Sequence, residues 1–198
     1  MRIIGGTAKG RRLQTPPKSM GKRTGRPVIR PTADRAREAL FSIVGSEVED
    51  AWVLDLFAGT GALGLEALSR GARSVVFVDR NSQSIKLIQK NIELCGFSDK
   101  SSVMKRDLAK SLSFLEKLLG DRDFSLIFVD PPYRKGLSLS MIKELSSGAL
   151  LASSGLVIIE DEVDVELPRT MGLLTLVDKR QYGDTGFWLY RAGKIDQQ

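Results

Sequence analysis

Asp130-Pro131-Pro132-Tyr133 sets an acid, two rigid prolines and an aromatic ring in four consecutive positions. They follow Phe124-Ser125-Leu126-Ile127-Phe128-Val129, a short apolar run predicted to be a strand buried on both faces. In an open parallel sheet, ligands bind outside the carboxyl ends of the strands. An acid and a conformationally fixed carbonyl at that point are suited to accepting the hydrogens of an amino group on a planar base, with the ring stacked against it. By itself the tetrapeptide reads equally well as a strand terminator with a tyrosine packed on a loop.

A second constellation lies upstream. Val53-Leu54-Asp55-Leu56-Phe57-Ala58-Gly59-Thr60-Gly61-Ala62-Leu63-Gly64 reads as a strand, a glycine turn and the start of a helix. Gly59, Gly61 and Gly64 have the G-x-G-x-x-G spacing of nucleotide sites, where backbone amides approach a ligand closely. Asp55 precedes them at the strand end. A buried carboxylate there needs a partner; it would repel a pyrophosphate and hold a cation. S-adenosylmethionine, with an ammonium and a sulfonium, meets that requirement.

Asp79 ends the next predicted strand, about 20 residues past the glycines, where an acid binds ribose hydroxyls. It reads alternatively as a helix cap ahead of Asn81 and Ser82. Asp107, after the strand Ser102 to Lys105, either accepts from an adenine amino group or caps the following helix.

These residues need a scaffold that brings strand ends together. The predicted order alternates: a helix from Thr32 to Val44, strand 52–56, a helix after Gly61, strand 74–79, a helix from Ser82 to Cys95, and strand 102–105. A helix at about 108–119, strand 124–130, a helix at about 139–151 and strand 155–160 complete the alternation. Segments 173–180 and 186–191 read as an antiparallel pair around Tyr182-Gly183-Asp184. Alternation of this kind implies a parallel sheet covered by helices on both faces.

Composition narrows the chemistry. The 198 residues include no histidine and one cysteine, Cys95. That excludes Ser-His and Cys-His catalysis, histidine-ligated metal and an internal disulfide, so no metal site is expected. Transfer to an amine tolerates the lack of histidine, because the amine loses its proton after attack. No apolar run approaches a membrane span, and no secretion signal is read, so a cytoplasmic protein is expected. Residues 1–37 hold eleven basic residues and one acidic residue, a net +10, while the remainder is net −4. Ile3, Ile4 and Leu13 give this basic arm apolar anchors, and Gly5-Gly6 and Gly10 give it turns. It is expected to form a small hairpin beside the site and to grip phosphates.

With these motifs in hand, the chain resembles a class I S-adenosylmethionine-dependent methyltransferase, and within that class the bacterial RsmD family. The family-specific stretches are Met1 to Gly6 with Lys9-Gly10-Arg11-Arg12-Leu13, and Arg30-Pro31-Thr32-Ala33-Asp34-Arg35-Ala36-Arg37-Glu38-Ala39-Leu40-Phe41. Asp55 to Gly64, Asp79-Arg80-Asn81, Asp130 to Tyr133 and Gln181 to Thr185 continue the match. The resemblance implies a Rossmann-like α/β fold with a mostly parallel seven-stranded sheet, a C-terminal antiparallel hairpin and a small basic N-terminal β-hairpin. The expected division is a basic RNA-binding extension, 1–31, with a mobile loop over 16–31, and a methyltransferase domain, 32–198.

It also implies methylation of the N2 amine of one guanine in 16S ribosomal RNA, with S-adenosylmethionine as cofactor and naked RNA or the small subunit as partner. A monomer is expected. Asp130, Pro131, Pro132 and Tyr133 carry the catalysis in this reading. Asp55, Phe57, Gly59, Thr60, Gly61, Asp79, Arg80, Asn81, Asp107 and Leu108 hold the cofactor. Arg2, Lys9, Arg11, Arg12, Arg30, Thr32, Arg35 and Arg37 face RNA. The same cradle serves an adenine-N6 methyltransferase acting on DNA, and a non-catalytic RNA-binding assembly factor is the remaining alternative. An NAD-dependent dehydrogenase fits poorly, since no proton donor is evident and Asp55 opposes a pyrophosphate.

Overall fold

A computed structural model describes residues 1–16, 31–108, 111–115, 123–133 and 136–193. The central sheet is built from apolar runs flanked by turn residues: β1 (Trp52–Leu56), β2 (Ser74–Asp79), β3 (Ser101–Lys105), β4 (Phe124–Val129) and β5 (Leu151–Glu162). These five pair in parallel in the order β3-β2-β1-β4-β5. β8 (Thr185–Ala192) runs antiparallel beside β5, followed by β7 (Leu174–Tyr182). The seven expected strands are thus in place, and a two-residue strand, β6 (Thr170–Met171), adds an eighth at the edge.

The period-2 alternation of the strands divides the core into two layers. Val53, Val75, Phe77, Leu126, Phe128 and Ile158 face α1 (Pro31–Val44), α2 (Ala62–Ser69) and α3 (Ser82–Cys95). Leu54, Leu56, Val78, Ile127, Val129 and Ile159 face α4 (Leu137–Leu145) and the segment holding Leu108, Leu112 and Leu115. Both faces of the parallel strands are therefore covered, as their near-continuous apolar sequences require.

The expected helix at 139–151 ends at Leu145 instead. Gly148, at φ 78°, turns the chain, and β5 already begins at Leu151. The expected helix at 108–119 lies partly outside the described residues; 113–115 are helical. The loop expected at 16–31 lies outside them too, apart from its end residues. Among the described residues no helix is long and apolar enough to cross a membrane.

The N-terminal residues form a hairpin closed by the antiparallel bridge of Arg2 and Arg12. The amide of Ile3 donates to Arg11 O at 3.0 Å, and that of Gly10 to Ile3 O at 2.9 Å. Ile3 and Leu13 are buried in the α1–α3 layer. The hairpin is fastened to the end of α2: Glu66, fully buried, accepts from the amides of Ile4 and Gly5, both at 2.8 Å. Gly6 sits at φ 73°, and a Cβ there would lie 1.7 Å from Ser69 O, so the turn has no room for a side chain.

Candidate active site

The carboxyl ends of β1, β2 and β4 and the segments that follow them surround a cleft of about 440 Å³. The chain order reverses here, between β1 and β4, which is the switch point where α/β sheets place ligands. The tetrapeptide Asp130, Pro131, Pro132 and Tyr133, expected to carry the catalysis, forms one wall. Phe57, Asp79, Arg80, Asn81 and Leu108 of the expected cofactor set form the other. Two further wall residues, Ser84 and Arg106, are ones that the sequence did not mark out. Ser84 sits in the first turn of α3, and Arg106 follows β3 with its guanidinium 5.4 Å from the Phe114 ring. Their place after strands β2 and β3 was the one available signal.

Several expected residues shape the cleft from behind its walls. Asp55 is 1% exposed and accepts from the Gly64 amide at 3.0 Å, so its carboxylate buttresses the glycine turn. Burial, and to a lesser degree the Asp130 and Asp79 charges, push its carboxyl up to about 7 against that hydrogen bond. Gly64 packs so closely on β2 that a Cβ would lie 2.4 Å from the Phe77 ring, the role of the third glycine in such turns. Gly59, Thr60, Gly61 and Asp107 are not on the cleft wall. Phe57 adopts a left-handed backbone at φ 61°, a strained conformation of the kind found at functional sites.

Asp79 accepts from the amides of Gly59, at 2.9 Å, and Asn81, at 2.7 Å. It therefore ties the glycine turn to the start of α3. The helix cap is Asn81, whose side chain accepts from the Gln83 amide at 2.8 Å. That disposes of the reading of Asp79 as a cap.

Asp130 is partly exposed. Desolvation first, and the neighbouring Asp161 carboxylate second, push its carboxyl up to about 7. Tyr133 is 39% exposed. Burial and the adjacent Glu160 charge push the Tyr133 hydroxyl up to about 12. Glu160 and Asp161 lie on β5; the expected strand 155–160 marked neither as a site residue. Asp161 is held by the Ser138 hydroxyl at 2.5 Å and by the Glu162 amide at 2.8 Å.

Of the expected RNA-facing residues, Arg2, Lys9, Arg11, Arg12 and Arg35 are exposed. Arg2, Lys9 and Arg35 line a second groove, of about 510 Å³, between the hairpin and α1. Arg11 also donates to Leu94 O at 2.5 Å. Arg37 departs from the expectation: it is 5% exposed, donates to Arg2 O at 2.6 Å and Asp34 at 3.1 Å, and its Nε lies 3.8 Å from Glu66. A guanidinium sequestered this way holds the hairpin to α1 and does not reach a phosphate. Arg30 and the Thr32 side chain lie outside the described residues.

The cleft can hold a nucleotide-like cofactor: an acid and amides at the ends of β1 and β2, apolar and aromatic walls, and a second acid, Asp130, opposite. The family described as conserved hypothetical protein 95 matches residues 1–191. A Bacillus subtilis protein provisionally named the rRNA methyltransferase YlbH is 34% identical over 96% of this chain and 98% of its own length. Ribosomal RNA small subunit methyltransferase D of Escherichia coli K12 is 34% identical over 96% of this chain and 89% of its own. The solved Escherichia coli protein yhhF, provisionally named a methyltransferase, is 32% identical with a TM-score of 0.77, covering 98% of both chains. The fold alone is shared with an RNA methyltransferase of Salinibacter ruber solved with S-adenosyl-L-homocysteine, at 13% identity and a TM-score of 0.63, over 86% of this chain and 98% of that one.

Proposed function

The chain belongs to the conserved hypothetical protein 95 family, that of the RsmD methyltransferases, and on that premise we propose that it methylates the exocyclic N2 amine of a guanine in 16S ribosomal RNA. The finer target, by the same resemblance, is guanine 966. The observation that carries the proposal is Asp130-Pro131-Pro132-Tyr133 across one cleft from Asp79.

S-adenosylmethionine, when bound, supplies a methyl group on a sulfonium centre. The residues present fit it. Asp79 would accept from the ribose hydroxyls, and Phe57 and Leu108 offer apolar surface for the adenine. The turn braced by Asp55 would meet the methionyl part, and Asp107 stands next to the adenine wall.

The guanine amine is a poor nucleophile because its lone pair is delocalised into the ring. Asp130 and the Pro131 carbonyl accept its two hydrogens, which steers the nitrogen toward tetrahedral geometry. Pro131 and Pro132 lock φ, so the carbonyl direction is fixed. Tyr133 stacks on the base, worth about 1–3 kcal/mol, against the few kcal/mol that unstacking a base costs. Positioning then does most of the work. Arg2, Lys9, Arg12 and Arg35 grip the phosphates, and the protein acts in the cytoplasm.

The test is transfer of labelled methyl groups to naked small-subunit RNA, under-methylated small subunits and duplex DNA, with nucleoside digestion. N2-methylguanosine from either RNA substrate is expected. N6-methyladenine in DNA would overturn the substrate. No product anywhere would overturn the activity.

A further inference from the structure

Four strand ends stand in a row along the carboxyl edge of the sheet: β2 with Asp79, β1 leading to Phe57, β4 leading to Asp130, and β5 carrying Glu160. Neighbouring strands lie about 4.8 Å apart. The residues assigned above to the cofactor belong to β1, β2 and the segment after β3. The acceptor base therefore has to lie over β4 and β5. Val129 pairs with Ile159, which sets residue 160 beside residue 130 on the adjacent strand. Phe128 and Ile158 both face the α1–α3 layer, and with a period of two Asp130 and Glu160 point to that same face. Glu160 is partly exposed. Asp161 points the other way along the strand and is already held by Ser138 and the Glu162 amide.

We propose that Glu160 reads the base: its carboxylate accepts the N1–H of the guanine whose N2 amine Asp130 holds. This inference rests on the guanine reading above and supplies what Asp130 to Tyr133 alone lacks. An amine cradle serves adenine and guanine alike, whereas the atom next to the amine differs. Guanine carries N1–H, a donor; adenine carries a bare N1, an acceptor that a carboxylate repels.

Burial and the Asp130 charge push the Glu160 carboxyl well above its ordinary range, with Tyr133 and Arg37 opposing. A donor N1–H favours the ionised form, so the cognate base itself stabilises the state that recognises it.

The experiment uses the full chain and two small-subunit RNA fragments that differ only at the methylated position: guanine, or 2-aminopurine. The second retains the N2 amine but has a bare N1 and no O6. The wild type should lose about a hundred-fold or more in kcat/KM on 2-aminopurine, because the carboxylate then faces an acceptor. Glu160→Gln, whose amide can turn its N–H toward a bare N1, should narrow that ratio at least about ten-fold. Loss of the O6 contact is common to both proteins and cancels. Tyr133→Phe should leave the ratio at its wild-type value, which separates reading the base from merely holding the ring. S-adenosylhomocysteine affinity should be unchanged in Glu160→Gln.

Equal wild-type rates on the two RNAs would overturn the inference without recourse to any variant. So would a wild-type ratio in a folded Glu160→Gln protein. If the wild type makes no N2-methylguanosine on the guanine RNA, the proposed function falls instead, an outcome distinct from the other two.

Discussion

The Glu66 carboxylate, deep in α2, takes the amide of Gly5 at 2.8 Å, so one buried acid joins the N-terminal hairpin to the catalytic body. The same carboxylate accepts from the Ile4 amide and from Arg70 Nε, each at 2.8 Å. Removing it strands two amides and leaves the buried Arg37 without its buried counter-ion. Glu66→Ala should lower stability by about 3–5 kcal/mol. Amide exchange at Ile4 and Gly5 should accelerate far more than in β1. Wild-type protection at those two amides would refute the role.

Arg35 and Arg37 are two residues apart and should behave oppositely. Arg35 is exposed beside the basic groove, so Arg35→Ala should leave the melting temperature in place and flatten the plot of log affinity against log salt for RNA by about 0.7–0.9. Arg37→Ala should leave that slope unchanged and lower the melting temperature. Filter binding across a salt series, beside thermal melts, checks both.

In the proposed reaction Asp130 accepts amine hydrogens as a carboxylate, and burial with the Asp161 charge pushes its carboxyl up to about 7. Its ionised fraction therefore rises as pH climbs through about 7. Turnover should climb from pH 6 to 8 and then level off. Asp130→Ala should lose about a hundred- to ten-thousand-fold in transfer rate, with S-adenosylhomocysteine affinity within a few-fold of wild type. A flat pH profile from 5.5 to 8.5 would count against Asp130 as the acceptor.

Asp55 offers a separate pH test. Its folded value of about 7 exceeds the ordinary 3.8, so the folded state binds the proton more tightly than the unfolded chain. The stability that this proton confers is complete below about 3.8 and is lost as pH rises through about 7. Asp55→Asn keeps an acceptor for the Gly64 amide and removes the titration. Between pH 5 and 8, in the absence of cofactor, wild-type melting should fall further than that of the variant. Parallel melting curves would show that Asp55 is not the group responsible.

The strands that carry the site were legible because they are short, apolar and bounded by acid or glycine: β1 and β2 span the residues expected of them. β5 was harder. Its first residue, Leu151, reads as the end of a helix, and residues 152–154 fall between the two expected elements; only the Gly148 turn, the left-handed Ser154 and a register shift opposite Phe124 make them strand. Asp79 and Asp130 could be placed because each ends a strand. Arg106 could not, since one arginine among thirty lysines and arginines carries no local mark. Glu160 was obscured for a different reason. The role proposed for it arises from the pairing of β4 with β5, and no local window contains both. Arg37 misled because a basic stretch in sequence says nothing of which guanidinium turns inward.

Asn91, fully buried in α3, donates to Thr60 O at 2.9 Å and to Gln14 O at 3.1 Å, and accepts from the Gln14 amide at 2.7 Å. One carboxamide therefore clamps the root of the hairpin and the glycine turn together. A chain trimmed through Gln14 to isolate a minimal enzyme would forfeit more than the basic hairpin. The carboxamide that braces the glycine turn would lose both its Gln14 bonds, and such a trimmed protein should bind S-adenosylhomocysteine more weakly, although no residue of the cleft wall has been touched.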